Sequence, residues 1–168
     1  MGVAAFLILA LLMEAGFIWA KRELPIVGAN RHLRQQQKGL QALNQAVMAL
    51  ALGEGGDAKR LANKASRLLP PQPMTHVIAA QAAELAGDKE AARREFEALS
   101  ESEEGSFLGV RGLLVSAISE GRTREALRLS DEALALKPKS KWAIRTQFHL
   151  LIKEANWEKA LGTFRLGQ

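Results

Sequence analysis

The sequence predicts an all-α fold, a solenoid of helical hairpins preceded by an N-terminal transmembrane helix. Three observations predict it. Residues of the same kind recur at a spacing of 34 over most of the chain. Ala, Leu, Glu, Lys and Arg, the stronger helix formers, dominate the 168 residues. One apolar stretch opens the chain and is followed at once by basic residues. There is no cysteine, so disulfides, Cys-ligated zinc and attached c-type haem are excluded. Only five prolines occur, and Pro70, Pro71 and Pro73 cluster.

The apolar stretch runs from Val3 to Ala20 with one charge, Glu14. As a helix it would reach about 27 Å, against a bilayer core of roughly 30 Å. Glu14 costs about 2–3 kcal/mol near the centre, and nine strongly apolar residues return roughly 0.3–0.6 each. The balance is slightly favourable to spanning. Trp19 stands where an interfacial aromatic belongs, and Lys21 and Arg22 come directly after it and Ala20. Residues 1–38 carry five basic and two acidic groups of a chain whose formal charge is +5. Basic residues on the C-terminal side of a span place the rest of the chain in the cytoplasm. The alternatives are a signal peptide, for which Met1–Ala5 lacks the positive start, and a buried or interfacial amphipathic helix. Phe6 stands where a myristoylation site needs Ser or Thr. Residues 1–22 are thus read as a transmembrane helix and 23–38 as a basic juxtamembrane connector.

A repeat occupies the remainder. Gly53, Gly87 and Gly121 are 34 apart, with Ala155 in the next place. Ala58, Ala92, Ala126 and Ala160 keep the same spacing without an insertion, and Pro70 and Pro138 are twice that distance apart. Glycine ends a first helix because the chain enters a left-handed conformation there. Asp88, Thr123 or Asn156 then caps the second helix. The alanine five residues after the glycine lets the two helices approach, and proline stops the second one. In the third unit Ala126, Leu129, Ala133 and Leu136 form one apolar stripe, supported by Leu127 and Leu134. Arg124, Arg128, Asp131 and Glu132 lie opposite. Such a unit buries its apolar face only by stacking on neighbours. The array is framed as 39–72, 73–106, 107–140 and an incomplete 141–168. The short last unit is expected to leave an apolar face for a further part of a longer chain or for another protomer.

This period, with Gly and Ala at these offsets, resembles the tetratricopeptide repeat. Further runs narrow the resemblance: residues 38–43 (KGLQAL), 49–53 (ALALG), 106–114 (SFLGVRGLL), 140–145 (SKWAIR) and 157–161 (WEKAL). With the apolar segment before them, they are similar to the proteobacterial HemY-type inner-membrane tetratricopeptide proteins, named for their link to haem biosynthesis genes. The resemblance runs from about residue 3 to the end. It implies an inner-membrane scaffold associated with the haem or porphyrin pathway and implies no reaction. Family members carry two membrane helices and more repeats, so this chain reads as truncated or divergent. A flavin-dependent oxidase that shares the name would need a G-x-G-x-x-G turn after a strand, and residues 53–56 (GEGG) have the wrong pattern and setting.

Chemistry has few places to reside. His32, His76 and His149 have no metal-ligand spacing. No nucleophile or acid–base constellation is visible, so neither catalysis nor a metal site is expected. The acidic run Glu101-Ser102-Glu103-Glu104 reads as a solvated loop. Gly105 and Gly109 read as a close-packing pair inside the array. In tetratricopeptide arrays the first helix of each unit lines a concave groove. Its fifth position is Leu43, Val77, Arg111 and Arg145, and its ninth is Val47, Gln81, Val115 and His149. The candidate partner-binding groove is therefore Gln81, Arg111, Val115, Arg145 and His149. Two arginines one repeat apart suit a carboxylate or phosphate; the other reading makes them exposed or inter-repeat salt-bridging residues. The expected function is a membrane-anchored scaffold for protein partners, porphyrin-pathway enzymes among them, at the cytoplasmic face of the bacterial inner membrane. No cofactor and no nucleic acid are expected, and self-association is. The alternatives are a haem- or porphyrin-binding chaperone or sensor, with His149 as ligand, and a helical adaptor of another pathway.

Overall fold

A computed structural model of the chain describes residues 31–166, so the segment read as membrane-spanning lies outside the described residues. Those residues form eight helices and no strand. The first, α1, is helical over 31–51. It is followed by α2 (Gly55–Leu68), α3 (Pro73–Leu85), α4 (Lys89–Ser100), α5 (Ser106–Ser119), α6 (Thr123–Leu136), α7 (Lys141–Lys153) and α8 (Trp157–Leu166). Residues 31–38, part of the stretch read as a connector, are helical and continuous with α1. Among the described residues, no helix is long and apolar enough to cross a membrane.

The helices pair as four hairpins whose turns are chemically alike. Gly53, Gly87 and Gly121 have φ of 75°, 76° and 69°, and Ala155, in the fourth turn, has φ of 54°. Each turn closes with the same two bonds. The N–H of Glu54, Asp88, Arg122 and Asn156 donates to the carbonyls of Ala49, Ala83, Ala117 and Leu151, all at 2.9 Å. The N–H one residue earlier donates to the carbonyl three residues back. This is the Schellman arrangement, which satisfies carbonyls that a helix end leaves free. An L residue in the left-handed region costs about 1–2 kcal/mol, so three of the four turns use glycine.

Caps follow the turn register. The side chain of Asp88 accepts from Ala91 N–H at 3.0 Å, and that of Asn156 accepts from Lys159 N–H at 3.3 Å. Thr123 does not cap α6: it is the first helical residue, and Arg122 holds the cap position without a side-chain bond to the backbone. Capping belongs to the residue directly after the glycine, and Thr123 stands one place late. Arg122 instead pairs with Glu120 and Glu125.

From α2 on, each helix packs chiefly on its neighbours in sequence. Ala58, Ala92, Ala126 and Ala160 are at most 2% exposed, which lets paired helices approach. Ala126, Leu129 and Ala133 are buried as the stripe predicts, but Leu136, at the end of α6, is exposed. Two of the second helices stop at a proline: α2 ends at Leu69, extended before Pro70, and α6 ends with Lys137 as its cap before Pro138, whereas α4 ends without one. Gly105 and Gly109 are close-packing sites. A Cβ on Gly109 would stand 2.3 Å from the backbone nitrogen of Ser100, at the end of α4.

Polar ties join consecutive units. Lys59 on α2 reaches Asp88, the cap of α4, at 2.5 Å. Arg93 on α4 reaches Glu97 at 2.8 Å and Glu125 of the next unit at 4.0 Å. These pairs hold the Asp88 carboxyl below its ordinary range, through Lys59 first and the Ala91 N–H second, and raise the Arg93 guanidinium, chiefly through Glu97. Between the third and fourth units the tie is an amide. Gln147 is buried, its Nε2 donates to Asp131 at 2.5 Å, and its Oε1 accepts from Thr163 Oγ1 at 2.7 Å.

Candidate partner-binding groove

The groove begins with a close approach. In the run from Phe107 to Leu114, Gly112 leaves room on α5 for a ring from α4: a Cβ there would lie 2.3 Å from Phe96. Phe96 is buried and floors a concavity between α3 and α5. Val77, Gln81 and Glu84 of α3 form one wall, and Leu108, Arg111 and Val115 of α5 the other. Helical spacing accounts for the selection: 77, 81 and 84 share one face of α3, as 108, 111 and 115 share one face of α5. The cavity measures about 260 Å³.

Three of the five residues expected to form the site, Gln81, Arg111 and Val115, therefore line one groove. Arg145 and His149 lie a repeat further on, exposed on α7, and do not line it. The His149 ring stands 6.1 Å from Phe148, which in turn lies 6.1 Å from Phe164. Among the described residues, no three His, Asp or Glu side chains cluster as metal ligands would.

Sequence reasoning placed Leu43, Val77, Val47 and Val115 on this face but missed its second repeat position. Leu40, Met74 and Leu108 are 34 apart, hold the second position of their units, and are 51%, 60% and 45% exposed. Val47 and Val115, in the ninth position, are also exposed. The 34-residue register itself was the signal. Trp142 takes the same second position in the fourth unit and is half-buried, packed against the core with the Arg111 guanidinium 4.8 Å from its ring centroid. Such stacking is favourable by about 0.5–1 kcal/mol at an exposed site. It holds the guanidinium beside the ring, on the same helix face as the groove residues Leu108 and Val115.

The arrangement offers an apolar floor, an amide able to donate and accept, and one oriented cation. Glu84 is partly engaged, accepting from Ser116 at 3.2 Å. A volume of about 260 Å³ lies just below the range of roughly 300–1,000 Å³ that holds a small molecule or cofactor, and suits one or two side chains of a partner.

Hairpins recurring at one 34-residue period, stacked in sequence order and presenting an apolar groove, define a helical-hairpin repeat protein. Residues 1–87 match the family model described as HemY protein N-terminus. The match covers more than half of the chain, which belongs to the HemY family. No curated protein matches the chain.

Proposed function

We propose that this protein is a membrane-anchored scaffold of the tetratricopeptide type that gathers protein partners and has no catalytic activity of its own. The observation that carries the reading is the groove between α3 and α5, which pairs an apolar floor with Gln81 and Arg111 in a space of side-chain size. The repeated exposed apolar residues at Leu40, Met74 and Leu108 extend that character over three units. Soluble proteins keep such residues exposed in series chiefly where a partner covers them.

The anchor is the segment Val3–Ala20, and the basic residues Lys21 and Arg22 put the array on the cytoplasmic side. Family membership supports a link to haem or porphyrin biosynthesis, so enzymes of that pathway are the first partners to seek. The exposed stripe Trp157, Leu161 and Phe164 on α8 supports self-association as a second mode of assembly.

The test is crosslinking pull-down from bacterial membranes with the full chain as bait, beside an Arg111→Ala/Arg145→Ala control. Porphyrin-pathway enzymes recovered by the first and lost from the second are the expected result. A folded, membrane-bound bait that recovers none of them would overturn the haem link. Equal recovery by both baits would overturn the role of the arginines.

A further inference from the structure

The corner where α6 passes into α7 is basic and brings its cations against two aromatic rings. Between Ala133 and Lys153 there are five basic residues, Lys137, Lys139, Lys141, Arg145 and Lys153, and no acidic one. Elsewhere on the described second helices several cations are matched, Lys59 with Asp88, Arg60 with Asp57, Arg93 with Glu97 and Arg128 with Glu132, while others such as Lys64, Arg67 and Arg124 are not. Among the described residues, none of Lys137, Lys139, Lys141, Arg145 and Arg111 makes an ion pair.

The cations are organised around an aromatic pair. Phe107 and Trp142 meet edge to face with centroids 6.3 Å apart. Lys137 Nζ lies 4.5 Å from the Phe107 centroid, and Arg111 lies 4.8 Å from that of Trp142. The result is a continuous surface of cation, ring, ring and cation. Lys139 and Ser140 join Phe107 and Lys137 around a shallow depression, and Lys141 and Arg145 stand one turn apart on α7 beside Trp142. Each of the two rings carries a cation on one face. Their effect is to hold two charges in place.

We propose that this corner docks a short carboxylate-rich segment of a protein partner. The argument is charge complementarity: five cations without acidic partners meet an anionic segment, and the two held against rings have less side-chain entropy left to lose. The segment is short because the loop one repeat earlier carries Glu101, Glu103 and Glu104, which would repel a longer polyanion. The inference rests on the scaffold reading and specifies its partner. It is tested at residues other than those that test the groove.

The experiment uses the full chain in non-ionic detergent and a fluorescein-labelled hexaglutamate peptide, read by anisotropy, with hexaglutamine as control. The comparison protein is Lys137→Glu/Lys139→Glu/Lys141→Glu, which keeps Arg111 and Arg145. Two of its new acids stand at the start of α7, where the helix dipole favours them, so its fold is retained and thermal melting checks this. Hexaglutamate is expected to bind, to weaken as salt rises, and to lose roughly tenfold or more in affinity in the variant. Lys→Arg changes at the same three positions should preserve binding. Equal binding to both proteins, no binding to the folded wild type, or preference for single-stranded DNA or for phosphatidylglycerol vesicles over the peptide would each overturn the proposal. Peptide binding that depends on the lysines while the pull-down recovers nothing would leave this site standing and remove only the choice of partners.

Discussion

Asp88 performs two tasks at one point: it caps α4 through the Ala91 N–H and receives Lys59 from the unit before. Both act on the ionised carboxylate, so its folded pKa lies below the unfolded value. A depressed carboxyl contributes stability that is present above the unfolded pKa, about 3.9, and is lost as pH falls through the folded value. Asp88→Asn should therefore melt below the wild type near neutral pH, and the difference should close at acid pH. Melting curves over that range check it; a gap that stays constant would detach the effect from ionisation. The glycines make a second comparison. On Gly109 a Cβ would press on backbone at 2.3 Å, whereas on Gly162 it would meet nothing within 4 Å. Gly109→Ala is expected to destabilise by about 1–3 kcal/mol, and Gly162→Ala, inside α8, to stabilise by about 0.5–1 kcal/mol. Chemical denaturation of the two variants reads both signs.

At the scale of the element, α7 is the best example of what sequence could and could not reveal. Its start at Lys141 follows from Ser140, whose side chain accepts from Ala143 N–H at 3.3 Å, a cap written in one residue. Its inner face hides a polar residue, Gln147, where the helical pattern alone would place an apolar one. Only the approach of Asp131 from α6 and Thr163 from α8 makes that burial tolerable. Thr163→Val should leave the Gln147 carbonyl without its donor and cost about 1–3 kcal/mol. Gln147→Leu/Thr163→Val, which removes both partners, should cost less than the two single changes added together, as a double-mutant cycle in urea would show. The turns were legible because left-handed glycine has few substitutes. Gln81, Arg111 and Val115 were legible because register places them. The same register groups Leu40, Met74 and Leu108, but their exposure was not legible, because an apolar residue on a helix reads the same whether it faces core or water. The stacking of Arg111 on Trp142 depends on side-chain reach across helices, which spacing does not encode. Thr123 was misplaced as a cap because a hydroxyl at a helix start is a stronger signal than the register of the turn.

At the scale of the molecule, contacts among the described residues run from each helix after α1 mainly to the next, so stability is distributed as a chain of local terms. Folding is expected to be quick for such a low contact order. Yet the joins between units are not alike. In the place just after the left-handed turn stand Glu54, Asp88, Arg122 and Asn156. Lys59 matches Asp88 but has no counterpart at Arg122, which would stand in the same place if residues 73–106 were excised. Such a shortened chain keeps every turn and every small alanine of the remaining units, and still sets cation against cation at its new seam. Its melting temperature should fall further than loss of one unit alone requires, and Arg122→Asp within it should recover part of the difference. The hairpins are then words in a fixed sentence: the seam after the first is spelled for the neighbour it has, and excision there carries a penalty that the uniform backbone conceals.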